Sequence, residues 1–499
     1  MGGKLCMYDA IMTQNEYVIH TLMNNGKDPN IIITPEGLKP LHKAVEYRNV
    51  NITSILLHRG ADANSKDIFD FGTLHILSMF TGIRHLFDTG YKIEDIYSIR
   101  NYNYAPLEKD HDTKTLKIAD MLLTSKANIN MSTKYGSTPL HIAVKYKNHS
   151  MVKFLLEKGA DINVLDCKNN TPIFYACYYG NLYMSKLLIS YGAKINLINK
   201  YGHSPLYYAV FSGNAELVKL LLSRNSYPNI IDITHTSVVH KAVDNRDIVI
   251  LKILLNSGAN CNIKDVNGYT ALHYACKIND KVITSILLEH GADPNSKNRS
   301  YRTPIYEAII CRCYDNIELL LHNGADINVI DVEGNTPLSF LPTIDDRCSI
   351  LIISHIILNN FHSNNINNSA GARINNFIIE NNEIYSYIKN ECINEILHLK
   401  NIKFHSGYTA EIFLQKNISI NLLSKFVKHP KLTKLEDDMH FYSYVFKKSI
   451  LLAKNRYKLI ENSLSVINSI NEFLVLPDTI KYCILEMLDD KELAIISTN

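Results

Sequence analysis

The chain has 499 residues, of which 20% are charged, with a formal net charge of +3. That balance argues against an electrostatic nucleic-acid binder, and no apolar run reaches the roughly 20 residues of a membrane-spanning helix, so no transmembrane span or signal peptide is expected. The ten cysteines are scattered without a Cys-x-x-Cys pair, which fits a reducing compartment. Cys311-x-Cys313 would need further ligands to hold zinc; the plainer reading is two small side chains in a helix. Trp is absent while Tyr, Ile, Asn and Lys abound, a bias expected of an AT-rich coding genome.

Residues 1–34 read as a capping unit. Tyr8, Ala10, Leu22, Met23, Gly26, Asp28 and Asn30 recur 34 residues on as His42, Ala44, Leu56, Leu57, Gly60, Asp62 and Asn64. The start, Met1-Gly2-Gly3, approaches an N-myristoylation signal, but Cys6 stands where Ser or Thr is needed.

From residue 35 to about residue 345 a 33-residue unit repeats. It is clearest from Tyr135 to Asn163. Thr138 and Pro139 supply an N-cap and a first helical proline. Leu140, Ile142, Ala143 and Val144 begin a short helix, and Lys147 and Asn148 interrupt it. Met151, Val152, Leu155 and Leu156 mark a second helix, and Gly159 sits where a left-handed cap is needed. Such a unit is too small to bury its own apolar face and must stack on neighbours. Stepping from His141 by 33 residues gives Phe174, Tyr207, His240, His273, Tyr306 and Ser339, and backwards Glu108, His75 and His42. Gly60, Gly159, Gly192, Gly258, Gly291 and Gly324 keep the same phase.

Residues 66–115 are degenerate. The box at His75 leads to Gly82 and a shortened second helix ending at Gly90. The box Ala105-Pro106-Leu107-Glu108 is followed by Lys109, Asp110 and Asp112 where apolar residues belong. Either this is a long insertion or one repeat is distorted.

The repeat opening at Thr336-Pro337-Leu338 decays. Its second helix, Cys348–Leu358, is apolar nearly all round, so the following segment should cover it. Asn359–Asn376 reads as a loop. Helical patterns follow at Ile384–Leu399, Ala410–Leu414, Ile418–Val427, Tyr442–Tyr457 and Leu459–Leu474, an all-helical connector. Between Lys400 and Lys458 twelve Lys or Arg face four Asp or Glu; this is either a docking surface for an acidic partner or a solvated helical face. Beyond Leu476-Pro477, Ile480, Cys483, Ile484, Met487 and Leu488 form one apolar stripe. Asp489 with Glu492 reads as a capping box for a last helix carrying Leu493, Ile495 and Ile496. Apolar surface so dense demands a cover, from the connector or from a partner.

The repeat resembles the ankyrin repeat, G-x-TPLH-x-A followed by paired leucines and G-A-D-x-N. The fold class this implies is all-α: an ankyrin-repeat solenoid of about ten to eleven helix-turn-helix repeats followed by a helical C-terminal domain. The domains expected are a capping repeat (1–34), the array (35–345), the connector (346–471) and a truncated F-box-like element (472–499). That element resembles the start of an F-box, L-P-x-x-I-x-x-x-I-L-x-x-L-x-x-x-x-L. The combination is similar to the poxvirus ankyrin proteins with a PRANC domain.

The resemblance implies a protein–protein interaction scaffold in the cytoplasm of an infected host cell. Leu476, Pro477, Ile480, Ile484, Leu485, Leu488 and Leu493 would form the set that faces and supports the Skp adaptor of a host cullin ubiquitin ligase. The repeats would hold an unknown host target through turn tips and inner helices, with Tyr135, Lys168, Tyr201, Asn267, Arg299 and Tyr301 as candidates. The alternative is sequestration of a host factor without ligase recruitment. No P-loop, nucleophile-elbow, HExxH or GxGxxG motif occurs, so no enzyme activity, catalytic residue, cofactor or metal is expected. His42, His75, His141, His240 and His273 recur with the repeat and should bond loop backbone.

Overall fold

The computed structural model describes residues 7–79, 109–341, 347–362, 369–404, 408–414 and 442–469, with residues 420, 423, 432, 435, 485, 488–490, 493 and 494 placed singly. The chain forms two units, Met1–Val266 and Asn267–Asn499. Among the described residues the only β-type pairings are isolated bridges; all else is helix and turn, the all-α, ankyrin-type stacking expected.

In the first unit helices come in pairs: α1 (Met7–Met12) and α2 (Glu16–Asn24), α3 (Pro40–Glu46) and α4 (Val50–His58), α5 (Thr73–Ser78) and α6 (Lys109–Thr124). The pairs α7 (Pro139–Lys145) and α8 (His149–Glu157), α9 (Pro172–Tyr178) and α10 (Leu182–Ser190), α11 (Pro205–Phe211) and α12 (Ala215–Ser223), and α13 (Val238–Asp244) and α14 (Ile248–Asn256) follow. Among the described links a left-handed residue breaks each pair, for example Lys147 at φ 58°; the link between α5 and α6 lies outside the described residues. The side chain of the next residue then caps the second helix: Asn148 accepts from the Met151 N–H at 3.1 Å, and Asn181, Asn214 and Asp247 do the same in their repeats. Gly159, at φ 84°, ends that helix, and Ala160 N donates to Leu155 O at 2.9 Å, the closure expected of an αL cap.

Two interactions recur from repeat to repeat in the first unit. Leu155, Leu188, Leu221 and Leu254, one per repeat, are completely buried, each worth about 1.5–3 kcal/mol relative to exposure. The second is an asparagine ladder. Asn163 accepts from Lys194 N at 2.9 Å, Asn196 from Tyr227 N at 3.0 Å and Asn229 from Asn260 N at 2.8 Å. The amide groups of Asn196 and Asn229 also donate to Asn225 O and Gly258 O in the next repeat.

The box histidines bond backbone, as expected. His141 Nδ1 accepts from Thr138 N at 3.2 Å while Nε2 lies 3.1 Å from Asn170 O of the next repeat. Acceptance at one nitrogen and a carbonyl at the other fix a neutral ring with the proton on Nε2. Burial holds His75 down to about 4, against the hydrogen bond to Ser137 O.

The degenerate region resolves into an insertion. The box at 105–108 lies outside the described residues, and α6 packs between α4 and α8 in the row of second helices, while α5 packs between α3 and α7. So α5 and α6 are the two halves of one repeat. His75 accordingly reaches Ser137, 62 residues on, instead of the 29 that separate His141 from Asn170. Arg48, at φ 52°, ties both sides of the insertion to the array. Its guanidinium donates to Met79 O at 3.0 Å and to Thr115 Oγ1 at 3.3 Å, and burial lowers it to about 10.

The second unit continues with α15 (Ala271–Lys277) and α16 (Lys281–Glu289), then α17 (Pro304–Ile310) and α18 (Tyr314–His322). Tyr306 takes over the histidine position, its hydroxyl donating to Val329 O and Asn335 O at 2.8 Å. The last repeat keeps a 3-10 turn at Pro337–Phe340 and a long helix, α19 (Arg347–His362). Its apolar residues Leu351, Ile352, Ile353, Ile356 and Leu358 are buried. Part of the cover is α21 (Glu383–Asn401), which packs on α19, with α20 (Ala370–Glu380) against α21. The expected loop 359–376 is therefore shorter: Ser369 caps α20 by accepting from Ala372 N. The two expected helices 442–457 and 459–474 are one, α22 (Ser443–Ser469), because no glycine or proline interrupts the chain near Lys458.

Asn375 ends the stack. It accepts from Thr336 Oγ1 at 2.5 Å and donates to Ile327 O at 3.1 Å and Asn328 Oδ1 at 3.0 Å. It meets the last ladder asparagine where a further repeat would. Gly371 allows this approach, since a Cβ there would come 1.8 Å from Asn328 O. Gly371→Ala should therefore push α20 off the array and cost about 1–3 kcal/mol, as overpacking does; chemical denaturation of the full chain measures it.

Candidate functional site

Turn tips stand in register through backbone bonds. Cys167 N donates to Tyr135 O, Lys200 N to Lys168 O and Ile233 N to Tyr201 O in the first unit; Arg299 N donates to Asn267 O in the second. Tyr135, Lys168, Tyr201 and Asn267 thus each spend a carbonyl on the next tip. Lys168, Tyr201, Asn267, Arg299 and Tyr301 are exposed, and Tyr135 is half-buried. Lys168 and Tyr201 share a groove; Asn267, Arg299 and Tyr301 lie in the second unit.

The groove runs across the first helices α7, α9 and α11. It has a volume of 220 Å³, and its walls include Lys145, Phe174, Tyr175, Tyr178, Tyr179 and Tyr208, besides the tip residues Lys168, Asn170 and Tyr201. Tyr178 stacks on Phe211 at 5.5 Å and meets Tyr179 and Tyr208 edge-on at 5.1 and 5.8 Å, the offset and T-shaped geometries that aromatic quadrupoles favour. At the neighbouring tip His203 stacks on Tyr207 at 3.8 Å and lies 3.3 Å from Asp232. Burial outweighs that carboxylate and holds His203 below the usual histidine range.

Polar partners fix the tyrosines. The Tyr175 hydroxyl donates to Asp166 Oδ2 at 2.5 Å, and Asn199 Nδ2 donates to the Tyr208 hydroxyl at 3.1 Å. Asp166 is buried and also accepts from the Lys168 and Asn170 N–H groups at 2.8 Å. Burial first, and the Lys168 ammonium second, lower Lys145 to about 7. The sequence marks Lys168 and Tyr201 as tip residues, but it does not single out Lys145 or the tyrosines Tyr175, Tyr178, Tyr179 and Tyr208 as site residues. Their signal is the aromatic run FYACYY and its 33-residue echo YYAVFS, which stand where the clean repeat carries HIAVKY.

At the C-terminus, Leu476, Pro477, Ile480 and Ile484 lie outside the described residues. Leu485 and Leu493 are fully buried against Ile460, with Leu488 partly buried beside them. Arg456, itself buried, pairs with Asp490 at 2.7 Å and donates to Leu488 O. Ser463 Oγ donates to Leu493 O at 3.0 Å. Of the seven residues expected at the adaptor site, Leu485 and Leu493 thus lie in the fold's own core.

Among the described residues no helix is long and apolar enough to cross a membrane, and no group of three or more His, Cys, Asp or Glu could hold a metal ion. Cys311 is exposed and Cys313 buried.

Family models for ankyrin repeats match residues 36–68, 122–173, 163–232 and 239–331. The model of the PRANC domain matches residues 405–498, which takes in much of the segment read as connector. The ankyrin repeat protein FPV230 of fowlpox virus (strain NVSL) is 54% identical over 153 residues, 31% of this chain and 81% of that protein. FPV024 of the same virus is 34% identical over 160 residues, 32% of this chain but only 27% of its own length. The crystal structure of the ankyrin repeat domain of Bcl-3 aligns with a TM-score of 0.39 at 23% identity, over 42% of this chain and 96% of that one.

Lys145 yields a test of the groove. Its folded-state pKa lies below its ordinary one, so between about 7 and the ordinary lysine range the unfolded chain binds more protons, and stability rises with pH. Lys145→Met should raise the melting temperature at neutral pH, and the gain should shrink toward pH 10. Differential scanning fluorimetry across that range checks the sign.

Proposed function

Because the chain belongs to the poxvirus ankyrin repeat proteins with a PRANC domain, we propose that this protein-interaction scaffold is a substrate receptor. The repeats hold a host target and the C-terminal element brings the Skp adaptor and cullin of a host ubiquitin ligase, in the cytoplasm of the infected cell. The observation that carries the reading is the joining of the repeat array to a PRANC match at residues 405–498. Ubiquitin transfer falls to the host ligase, so this chain needs no catalytic group. On this reading Leu476, Pro477, Ile480, Ile484 and Leu488 meet the adaptor, while Leu485 and Leu493 hold that face in place. Residues 35–345 carry the target, 346–471 connect, and 472–499 recruit.

A second reading is sequestration without a ligase, with the C-terminal helices serving only as part of the fold. The burial of Leu485 and Leu493 against Ile460 favours it, since residues committed to the fold's own core are not free for a partner.

A pull-down from host cytosol separates the two. The intact chain should recover adaptor and cullin, and Leu476→Asp and Ile484→Asp should lose them while circular dichroism stays unchanged. Equal recovery by folded variants, or none from the intact chain, overturns the receptor reading.

A further inference from the structure

The groove between α7, α9 and α11 has a volume of 220 Å³. That is below the roughly 300–1,000 Å³ of sites that enclose a drug-sized ligand or cofactor, and it suits one or two side chains of an extended peptide. Its walls carry two lysines. The nearby carboxylate, Asp166, is turned into the fold: Oδ1 accepts from the N–H groups of Lys168 and Asn170, and Oδ2 accepts from the Tyr175 hydroxyl and, at 3.3 Å, from Asn170 Nδ2. The groove mouth therefore presents positive charge. Burial, with Lys168 alongside, disfavours the Lys145 ammonium, a cost that an incoming anion would relieve.

The rest of the wall is tyrosine. Tyr175, Tyr178, Tyr179 and Tyr208 are half-buried, locked by ring contacts and by the Asp166 and Asn199 bonds. Rigid tyrosines offer apolar area at small entropy cost and are enriched where interfaces are strongest. Two lysines do not make a track for a nucleic-acid backbone, which takes a charged groove several nucleotides long.

We propose that the groove formed by Lys145, Lys168, Tyr175, Tyr178, Tyr179 and Tyr208 docks an acidic, extended segment of a partner protein. A carboxylate of that segment lies between the two ammonium groups, and its apolar neighbour lies on the tyrosine rings. This rests on the reading that the repeats hold the target, and it is independent of ligase recruitment.

The test is selection of a random peptide library, displayed on phage, against the full chain and against Lys145→Gln/Lys168→Gln. Peptides enriched on the intact chain should carry Asp or Glu beside an aliphatic or aromatic residue. A synthetic copy should bind the double variant about tenfold more weakly or worse, about 1.4 kcal/mol, and should weaken on the intact chain as salt rises. Tyr178→Ala should lower affinity yet keep the acidic preference. Circular dichroism confirms that each variant is folded. No enrichment, enriched peptides without acidic residues, equal binding by the double variant, or displacement by a single-stranded oligonucleotide each overturns the proposal. The double variant should recover adaptor as the intact chain does, so failure of the groove and failure of the ligase reading are told apart.

Discussion

A pair of helices seven and nine residues long leaves an apolar face open and loop carbonyls unsatisfied, and both defects are cured only by the next pair. Burial and hydrogen bonding share the repair unequally. A completely buried leucine such as Leu188 is worth about 1.5–3 kcal/mol relative to exposure. The bond from Tyr227 N to Asn196 is solvent-exposed and contributes about 1 kcal/mol net. Burial therefore holds the stack, and the asparagine and histidine bonds choose its register. The same division explains the end of the array, where Asn375 supplies the polar partner and α21 helps to cover α19.

That constraint decides what the sequence discloses. Glycine at the αL position, proline at the first turn and histidine in the box are each required locally, so Gly159, Pro139 and His141 read correctly from spacing alone. The insertion between α5 and α6 does not. Ala105–Glu108 keeps the 33-residue phase, yet α6 fills the place of a second helix, because packing between α4 and α8 depends on an apolar stripe and is indifferent to how much chain precedes it. No break occurs at Lys458 for a related reason: apolar periodicity alone does not mark a boundary inside α22.

The groove lies between these cases. Its aromatics are plain in the sequence, but their convergence with Lys145 and Lys168 is a product of stacking. Residues one repeat apart become neighbours across the first helices, as Tyr178 and Phe211 do at 5.5 Å. The tips carry a similar lesson, because Lys168 and Tyr201 gain meaning from the helices beneath them. At the C-terminus the apolar pattern is legible, but not the division between residues taken into the fold's own core and the rest. That division depends on Ile460 and Arg456, which belong to another helix.

Burial sets the stability of the stack, and the asparagine ladder sets its register. Hydrogen exchange of residues 172–227 in Leu188→Ala and Asn196→Ala chains separates the two contributions. Leu188→Ala should lower the opening free energy by about 2–5 kcal/mol. Asn196→Ala should lower it by about 1 kcal/mol, with protection lost mainly at the Tyr227 amide. A larger and more widespread loss from Asn196→Ala than from Leu188→Ala would contradict this division of roles.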